Sequence, residues 1–366
     1  MDEISPLEIE IRRRIAAAGP MPVGEYMALC LGDPTHGYYM TRDPLGARGD
    51  FITAPEISQM FGELIGLWMA AVWQQMGAPD RIRIVELGPG RGTLMNDALR
   101  AVQVVPGFRD ALTLHLVEIS PVLRAQQERT LNAMPISVSW HAALEKVPKG
   151  PAIIVANEFF DALPINQAIK IDGGWHERQI GIDANGNLAF TVAREPLPHF
   201  EQLLPPAIRE APEPSIFEWR ADIAAMELGR RIMDDGGAAL AIDYGHAEST
   251  TGETLQAVGQ HAYANPLTAP GTIDLTAHVD FQALAHAIEA MGIGAFGPIE
   301  QADFLRRLGI ETRAAALKAK ATSRAAADID SGMARLIGRG RTGMGALFKV
   351  AAFAHPSVGE PPGFER

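Results

Sequence analysis

"VELGPGRGTLMNDALR", residues 85–100, carries the reading of the fold. An apolar run from Arg81 ends at Glu86, glycines follow at 88, 90 and 92, and an amphipathic stretch begins directly after them. The pattern predicts a buried strand, a tight turn and a helix. In an open parallel sheet such a turn lies beyond the carboxyl end of its strand, where ligands bind. Gly88, Gly90 and Gly92 let a ligand approach the backbone without meeting a Cβ. A phosphate loop would close on Gly-Lys-Ser/Thr, whereas Arg91-Gly92-Thr93-Leu94 contains no lysine. A dinucleotide fingerprint, G-x-G-x-x-G, would place its third glycine one residue later. Glu86 would also repel a pyrophosphate. The turn suits a ligand that is not anionic there and that offers amine or hydroxyl donors.

S-adenosylmethionine is such a ligand, with its sulfonium, ammonium and ribose diol and no phosphate. The second predicted strand, "LTLHLVEIS" (112–120), ends at Glu118 and Ile119. A carboxylate there can accept from both ribose hydroxyls; NAD would use the same group, so Glu118 marks a diol-bearing nucleoside without choosing between the two. After the fourth strand comes "NEFFDALP" (157–164), where Glu158 and Asp161 flank Phe159 and Phe160, with Asn157 beside them. In a methyltransferase layout this strand end faces the transferable methyl group. Carboxylates can grip a guanidinium through paired hydrogen bonds, and an in-line displacement needs chiefly positioning and electrostatics. The alternative is structural: both aromatics in the core and the acids capping a helix before Pro164.

Around these motifs the chain predicts a Rossmann-like α/β sheet. Strands are expected at 81–88, 112–120, 136–140, 152–160 and 238–245. Their apolarity is continuous rather than alternating, which means strands covered on both faces. Residues 1–80 read as an N-terminal helical cap. Ile4, Leu7, Ile11 and Ile15 recur at helical spacing before Gly19-Pro20, a second helix follows Val23, and 32–51 is a Gly/Pro-punctuated loop. Thr53-Ala-Pro-Glu56 has the form of a capping box opening a helix with Ile57, Phe61, Leu64, Trp68, Ala71 and Val72 on one face. Residues 81–366 form the main domain, with antiparallel hairpins inserted at about 165–215, signalled by Asp172-Gly-Gly and Ala184-Asn-Gly-Asn187.

The 366 residues carry a formal net charge of −12, which argues against nucleic acid as a partner. The basic group Lys318, Lys320, Arg324, Arg335, Arg339 and Arg341 reads as a solvated helical face. One cysteine, Cys30, excludes a disulfide framework and a thiolate metal cluster, and reads as a small buried apolar residue. The most apolar run, "LIGLWMAAVW" (64–73), is too short to span a bilayer, so no membrane insertion is expected. "MDEISPLEIE" lacks the apolar centre of a signal peptide, and a cytoplasmic protein is the simplest expectation.

Six blocks together resemble the MidA-like methyltransferases, the mitochondrial complex I assembly factors and their bacterial relatives. They are "GDFITAPEISQMFGELIG" (49–66), "ELGPGRGTL" (86–94), "VEISPVLRAQQ" (117–127), "NEFFDALP" (157–164), "AIDYGH" (241–246) and "DLTAHVDF" (274–281). The resemblance covers nearly the whole chain. It implies a class I methyltransferase fold, S-adenosyl-L-methionine as cofactor, no metal, and transfer to an arginine of a complex I subunit during assembly. It puts the cofactor turn on Glu86, Gly88, Gly90 and Gly92, the ribose acid on Glu118 with Ile119 beside it, and a covering segment on Gly49, Asp50, Phe51 and Thr53. Glu158, Asp161 and Asn157 are the candidate catalytic residues. Asp243, Tyr244 and His246 could reach the same cleft, while His278 and Asp280 could bind the protein substrate or start a helix. A homodimer, a methyltransferase with another substrate, and an assembly factor that binds the cofactor without catalysis are left open.

Overall fold

The structure, a computed structural model, describes residues 4–41, 53–259 and 262–365. Its main sheet contains β1 (Ile82–Leu87), β2 (Leu112–Val117), β3 (Val138–His141), β4 (Ala152–Asn157), β5 (Gly237–His246), β6 (Gly294–Glu300) and β7 (Phe348–Ala354). They lie in the order β3-β2-β1-β4-β5-β7-β6. β1 to β5 run parallel, while β7 is antiparallel to both β5 and β6. Ile84, Leu114, Ile153, Val155, Leu240 and Ile242 enter one core layer. Their chain neighbours Val85, Ile154, Ala156, Ala239 and Ala241 enter the other. Both faces are covered, which is why these strands read as continuous apolar runs. β1 has β2 on one side and β4 on the other, so successive connections leave it in opposite directions. That switch point opens a crevice at the carboxyl ends of β1 and β4.

The doubly wound sheet is as expected, with differences in detail. β6 and β7 were not among the expected strands. β6 is interrupted by a bulge between Phe296 and Ile299, and Phe348–Ala354 carries three alanines, poor strand formers. The strand expected over 152–160 stops at Asn157, because Glu158 adopts φ +51° and leaves the extended conformation. Its amide still donates to the Ile242 carbonyl of β5 at 2.9 Å.

Before the sheet lie α1 (Pro6–Ala18), α2 (Val23–Gly32) and α3 (Gln59–Gln75). Ile4 precedes α1 and is exposed; Ser5 caps the helix, its Oγ accepting from the Glu8 amide at 3.2 Å. The expected capping box is not one helix start. Thr53 heads a single turn, Ala54–Ile57, and its side chain makes no capping bond. Ser58 caps α3 instead, accepting from the Met60 amide, and Glu56 accepts from the Thr93 hydroxyl. α3 packs against the main sheet through Phe61, Leu64, Ile65, Trp68 and Val72. α1 and α2 share a separate core, including Leu7, Ile11, Tyr26, Met27 and buried Cys30, with Ile165 and Ile180 of the inserted strands and with Leu275.

The insertion is antiparallel, with strands Ile165–Ile171, Gly174–Ile182, Leu188–Pro196 and Ser215–Arg220, so its pairing extends past the expected end at 215. Asp172 and Gly173 both have positive φ, as a two-residue hairpin turn requires. Met21–Pro22 adds to its edge. A small three-stranded sheet, Gln256–Gly259, Ala262–Ala264 and Asp274–Thr276, follows β5.

Candidate functional site

β1 delivers Glu86 to the mouth of the crevice, and the chain then turns through Gly88, Gly90 and Gly92 with φ of +62°, +54° and +80°. Each value lies where an L side chain is strained, so the three glycines are a conformational requirement. A Cβ on Gly88 would stand 3.1 Å from the Phe159 ring. Gly88 and Gly90 line a cavity of about 360 Å3. Gly92 does not; it heads α4 (Thr93–Ala101) and lies against Gln127.

The same cavity is lined by Thr53, Glu86, Glu118, Ile119, Asn157, Glu158 and Asp161. Gly49 and Asp50 lie outside the described residues. Glu86 is 3% exposed and its Oε2 has no hydrogen-bond partner among the described residues. Burial, and then the neighbouring Glu118, push its carboxyl up to about 8. Glu118 accepts from the Ser120 amide at 2.8 Å and from Gln127 Nε2 at 3.1 Å, and burial raises it as well.

Gln127 was not among the expected site residues. It projects from α5 (Pro121–Leu131), is fully buried, and joins three elements. Its Nε2 donates to the Gly90 carbonyl at 2.7 Å as well as to Glu118, and its Oε1 accepts from Trp140 Nε1 at 2.9 Å. The glycine turn and the second-strand acid are thus fixed to one another by one amide. A glutamine within a polar helical stretch gives no sign of this in the sequence.

At the end of β4, Glu158 is half-buried on the cavity wall. Its Oε1 accepts from the Ala54 amide at 3.1 Å and from Asn157 Nδ2 at 3.2 Å, and burial pushes its carboxyl up to about 7. Asp161 is buried and raised by burial; Asp243, behind it, accepts from the amides of Phe160 and Asp161 at 3.0 and 3.2 Å. Asp243 therefore shapes the loop from within rather than lining the cavity, whereas Tyr244 does line it. His246 pairs with Asp280 at 3.8 Å, and Asp280 caps the helix Phe281–Glu289 by accepting from the Ala283 amide. The His278 amide donates to Thr254 Oγ1 and its carbonyl accepts from Arg220. These three residues lie off the cavity wall. Of the basic group, Lys318 pairs with Asp330, and Arg339 with Glu300 and Asp303.

Among the described residues, the buried carboxyl and amide oxygens Glu86 Oε2, Asn157 Oδ1 and Asp161 Oδ1 on this wall have no partner. All are acceptors, and buried acceptors ordinarily find donors. The described lining residues also include six carboxyl groups (Glu56, Glu86, Glu118, Glu158, Asp161, Asp274) against one cationic side chain, Arg91. A phosphate would meet repulsion here. The ammonium, ribose hydroxyls and adenine amine of S-adenosylmethionine bring the donors that the wall lacks.

Residues 64–299 match the family of S-adenosyl-L-methionine-dependent methyltransferases. The chain is 39% identical to the mitochondrial protein arginine methyltransferase NDUFAF7 homolog of Drosophila melanogaster, over 94% of this chain and 83% of that protein. It is 38% identical to human mitochondrial NDUFAF7, over 85% of this chain and 75% of that protein. A superfamily member from Burkholderia thailandensis, crystallised with S-adenosyl-homocysteine, superposes with a TM-score of 0.83 at 28% identity, over 98% of this chain and 93% of that one. Among the described residues no helix is long and apolar enough to cross a membrane. The sheet order, the donor-seeking cavity and these likenesses agree: the chain belongs to the S-adenosyl-L-methionine-dependent methyltransferases, with S-adenosyl-L-methionine as its cofactor.

Proposed function

We propose that the chain methylates an arginine side chain of a protein, a subunit of respiratory complex I, during assembly of that complex. The activity of its relatives supports the arginine, and one observation in the site carries the reading. The half-buried Glu158 stands at the end of β4 on the cavity that Glu86 and Glu118 also line, its carboxylate held by Ala54 and Asn157.

Glu86 and Glu118 take the donors of the cofactor, Gly88 and Gly90 admit it to the backbone, and Gln127 holds the two parts in register. Thr53 and Ile119 complete the wall. When bound, the cofactor supplies a methyl carbon made electrophilic by a positively charged sulfur. Transfer forms an N–C bond as the S–C bond breaks, and the nitrogen sheds one proton. A carboxyl near pH 7 can take that proton at neutral pH, and Glu158 is pushed to that value by burial. As a carboxylate it also orients the planar guanidinium before the transfer.

Purified protein, labelled S-adenosylmethionine and the isolated peripheral-arm subunits of complex I test the reading. Label recovered on an arginine of one subunit is expected. Complex I with identical arginine methylation in wild-type and gene-deleted cells refutes it.

A further inference from the structure

Glu158 takes one of its two hydrogen bonds from a segment 104 positions away. The single turn Ala54–Ile57 lies along the cavity, which Thr53, Pro55 and Glu56 help to line. It is tied to the site at both ends. The Ala54 amide donates to Glu158 Oε1 at 3.1 Å, and Glu56 Oε1 accepts from the Thr93 hydroxyl at 2.5 Å. Thr93 opens α4 directly after Gly92 and lines the cavity too. One tie therefore fastens the turn to the end of β4, and the other fastens it to the glycine loop.

Behind the turn stands the helix Ser323–Ile337. A Cβ on its Gly332 would lie 3.3 Å from Ser58 Cβ and 3.4 Å from the Ile57 carbonyl oxygen, so the helix backs the end of the turn closely. Ala54 and Pro55 are buried. Apolar burial is non-directional, and it seats the turn without fixing where its first amide points. A hydrogen bond is directional and does fix it. The Glu56 amide donates to the Thr53 carbonyl at 3.0 Å, so the turn is a closed unit and a displacement of Glu56 is passed to Ala54.

We infer that Glu56 and Thr93 are positioning residues, whose hydrogen bond holds the Ala54 amide on Glu158 and so keeps that carboxylate in place for methyl transfer. The inference rests on the role given to Glu158 above. An N–H that donates to a carboxylate favours its charged form, so Ala54 works against the burial that raises Glu158. Of the other groups around it, Asp161 on the same loop raises Glu158, and Asp243 of β5 also interacts with it. Asn157 and, from the helix Ser323–Ile337, Arg335 lower it. With the tie between Glu56 and Thr93 broken, the amide is no longer held and the Glu158 carboxyl rises above about 7. Loss of the Glu56 charge alone would act in the opposite sense, because removing a nearby negative charge lowers a carboxyl. The direction of the change therefore separates a tie from a field effect.

The test is a pH titration of the full chain carrying carboxyl-labelled glutamate, followed by NMR, with the Glu158 signal assigned by its loss in Glu158→Gln. In the wild type that signal should titrate at about 7. Thr93→Val and Glu56→Ala should each move the midpoint up by about one pH unit, as loss of one hydrogen bond to a charged group implies. The double variant should move it no further than either alone, since both changes break the same bond. Glu56→Gln keeps the accepting oxygen and should stay near wild type. In turnover of S-adenosylmethionine on the peripheral-arm subunits, the rise of kcat with pH should be displaced to the same extent, with KM within a few fold of wild type. An unmoved or lowered midpoint in both Thr93→Val and Glu56→Ala, or a double variant displaced by the sum of the two, overturns the inference and leaves the role of Glu158 standing. A fall in kcat at every pH with the midpoint in place does the same, since a merely structural contact would act that way. Near-normal turnover in Glu158→Gln removes the role of Glu158 and the inference with it.

Discussion

Raising the pH should tighten cofactor binding, with Glu86 setting the size of the effect. Its carboxyl is 3% exposed, one oxygen has no partner among the described residues, and burial pushes it up to about 8. A ligand that brings hydrogen-bond donors to this group favours the ionised form, so its pKa falls on binding and a proton is expelled. The ligand-free value is the higher one, so affinity rises with pH up to about 8 and levels off above it. At about pH 6 roughly 1% of Glu86 is ionised, and at about pH 9 roughly 90%, from the ordinary titration relation. The ratio is on the order of 100-fold, or about 3 kcal/mol. Titration calorimetry with S-adenosylhomocysteine, in two buffers of different ionisation enthalpy at about pH 7, should show release of about 0.9 proton per ligand bound. Glu86→Gln should bind more weakly, with both the proton release and the pH slope removed. A wild-type protein with flat affinity between about pH 6 and 8, or an equal slope in Glu86→Gln, refutes the reasoning.

The same group should mark stability without ligand. A raised folded pKa means that the native state holds its proton longer than the unfolded chain, so stability falls as pH rises from 4.5 towards 8. The limit is about 5 kcal/mol for a shift of roughly 3.5 units, and Glu86→Gln should melt higher than wild type at alkaline pH in a thermal scan. Gly90→Val forces a branched side chain to φ +54° on the cavity wall; calorimetry should show S-adenosylhomocysteine binding weakened by at least about tenfold. Glu158→Gln should lower kcat by about 100-fold while cofactor affinity stays within a few fold. The wild-type rate should rise through about pH 7 as the carboxylate forms, and a variant with near-normal turnover removes Glu158 from catalysis. Gln127→Leu leaves Trp140 Nε1 and the Gly90 carbonyl without their partner, so it should cost about 1–3 kcal/mol in denaturant unfolding and weaken the cofactor in calorimetry.

What could be read in the chain was local. The turn after β1 depends on three glycines within five residues, and its geometry follows from their spacing. Strands covered on both faces show themselves as unbroken apolar runs, so β1, β2, β4 and β5 were visible. β7 was hidden by its alanines and β6 by its bulge. The missing site residues share another cause. Gln127 acts across three elements, and Tyr39 meets Asp274 from 235 positions away. Such contacts arise only when the helical segment, the inserted strands and the small sheet close over the crevice. Thr53 to Glu56 shows the reverse error, where a sound local pattern yields to packing: Glu56 takes the Thr93 hydroxyl and Ser58 starts the long helix.

A crystal structure with S-adenosylhomocysteine decides whether the β1 turn and Glu118 hold the cofactor. The ribose hydroxyls are expected on Glu118, a donor of the ligand on Glu86, and the sulfur turned towards Glu158. A nucleoside bound away from the β1 turn, or one whose diol faces solvent with Glu118 still bonded only to Ser120 and Gln127, would contradict it.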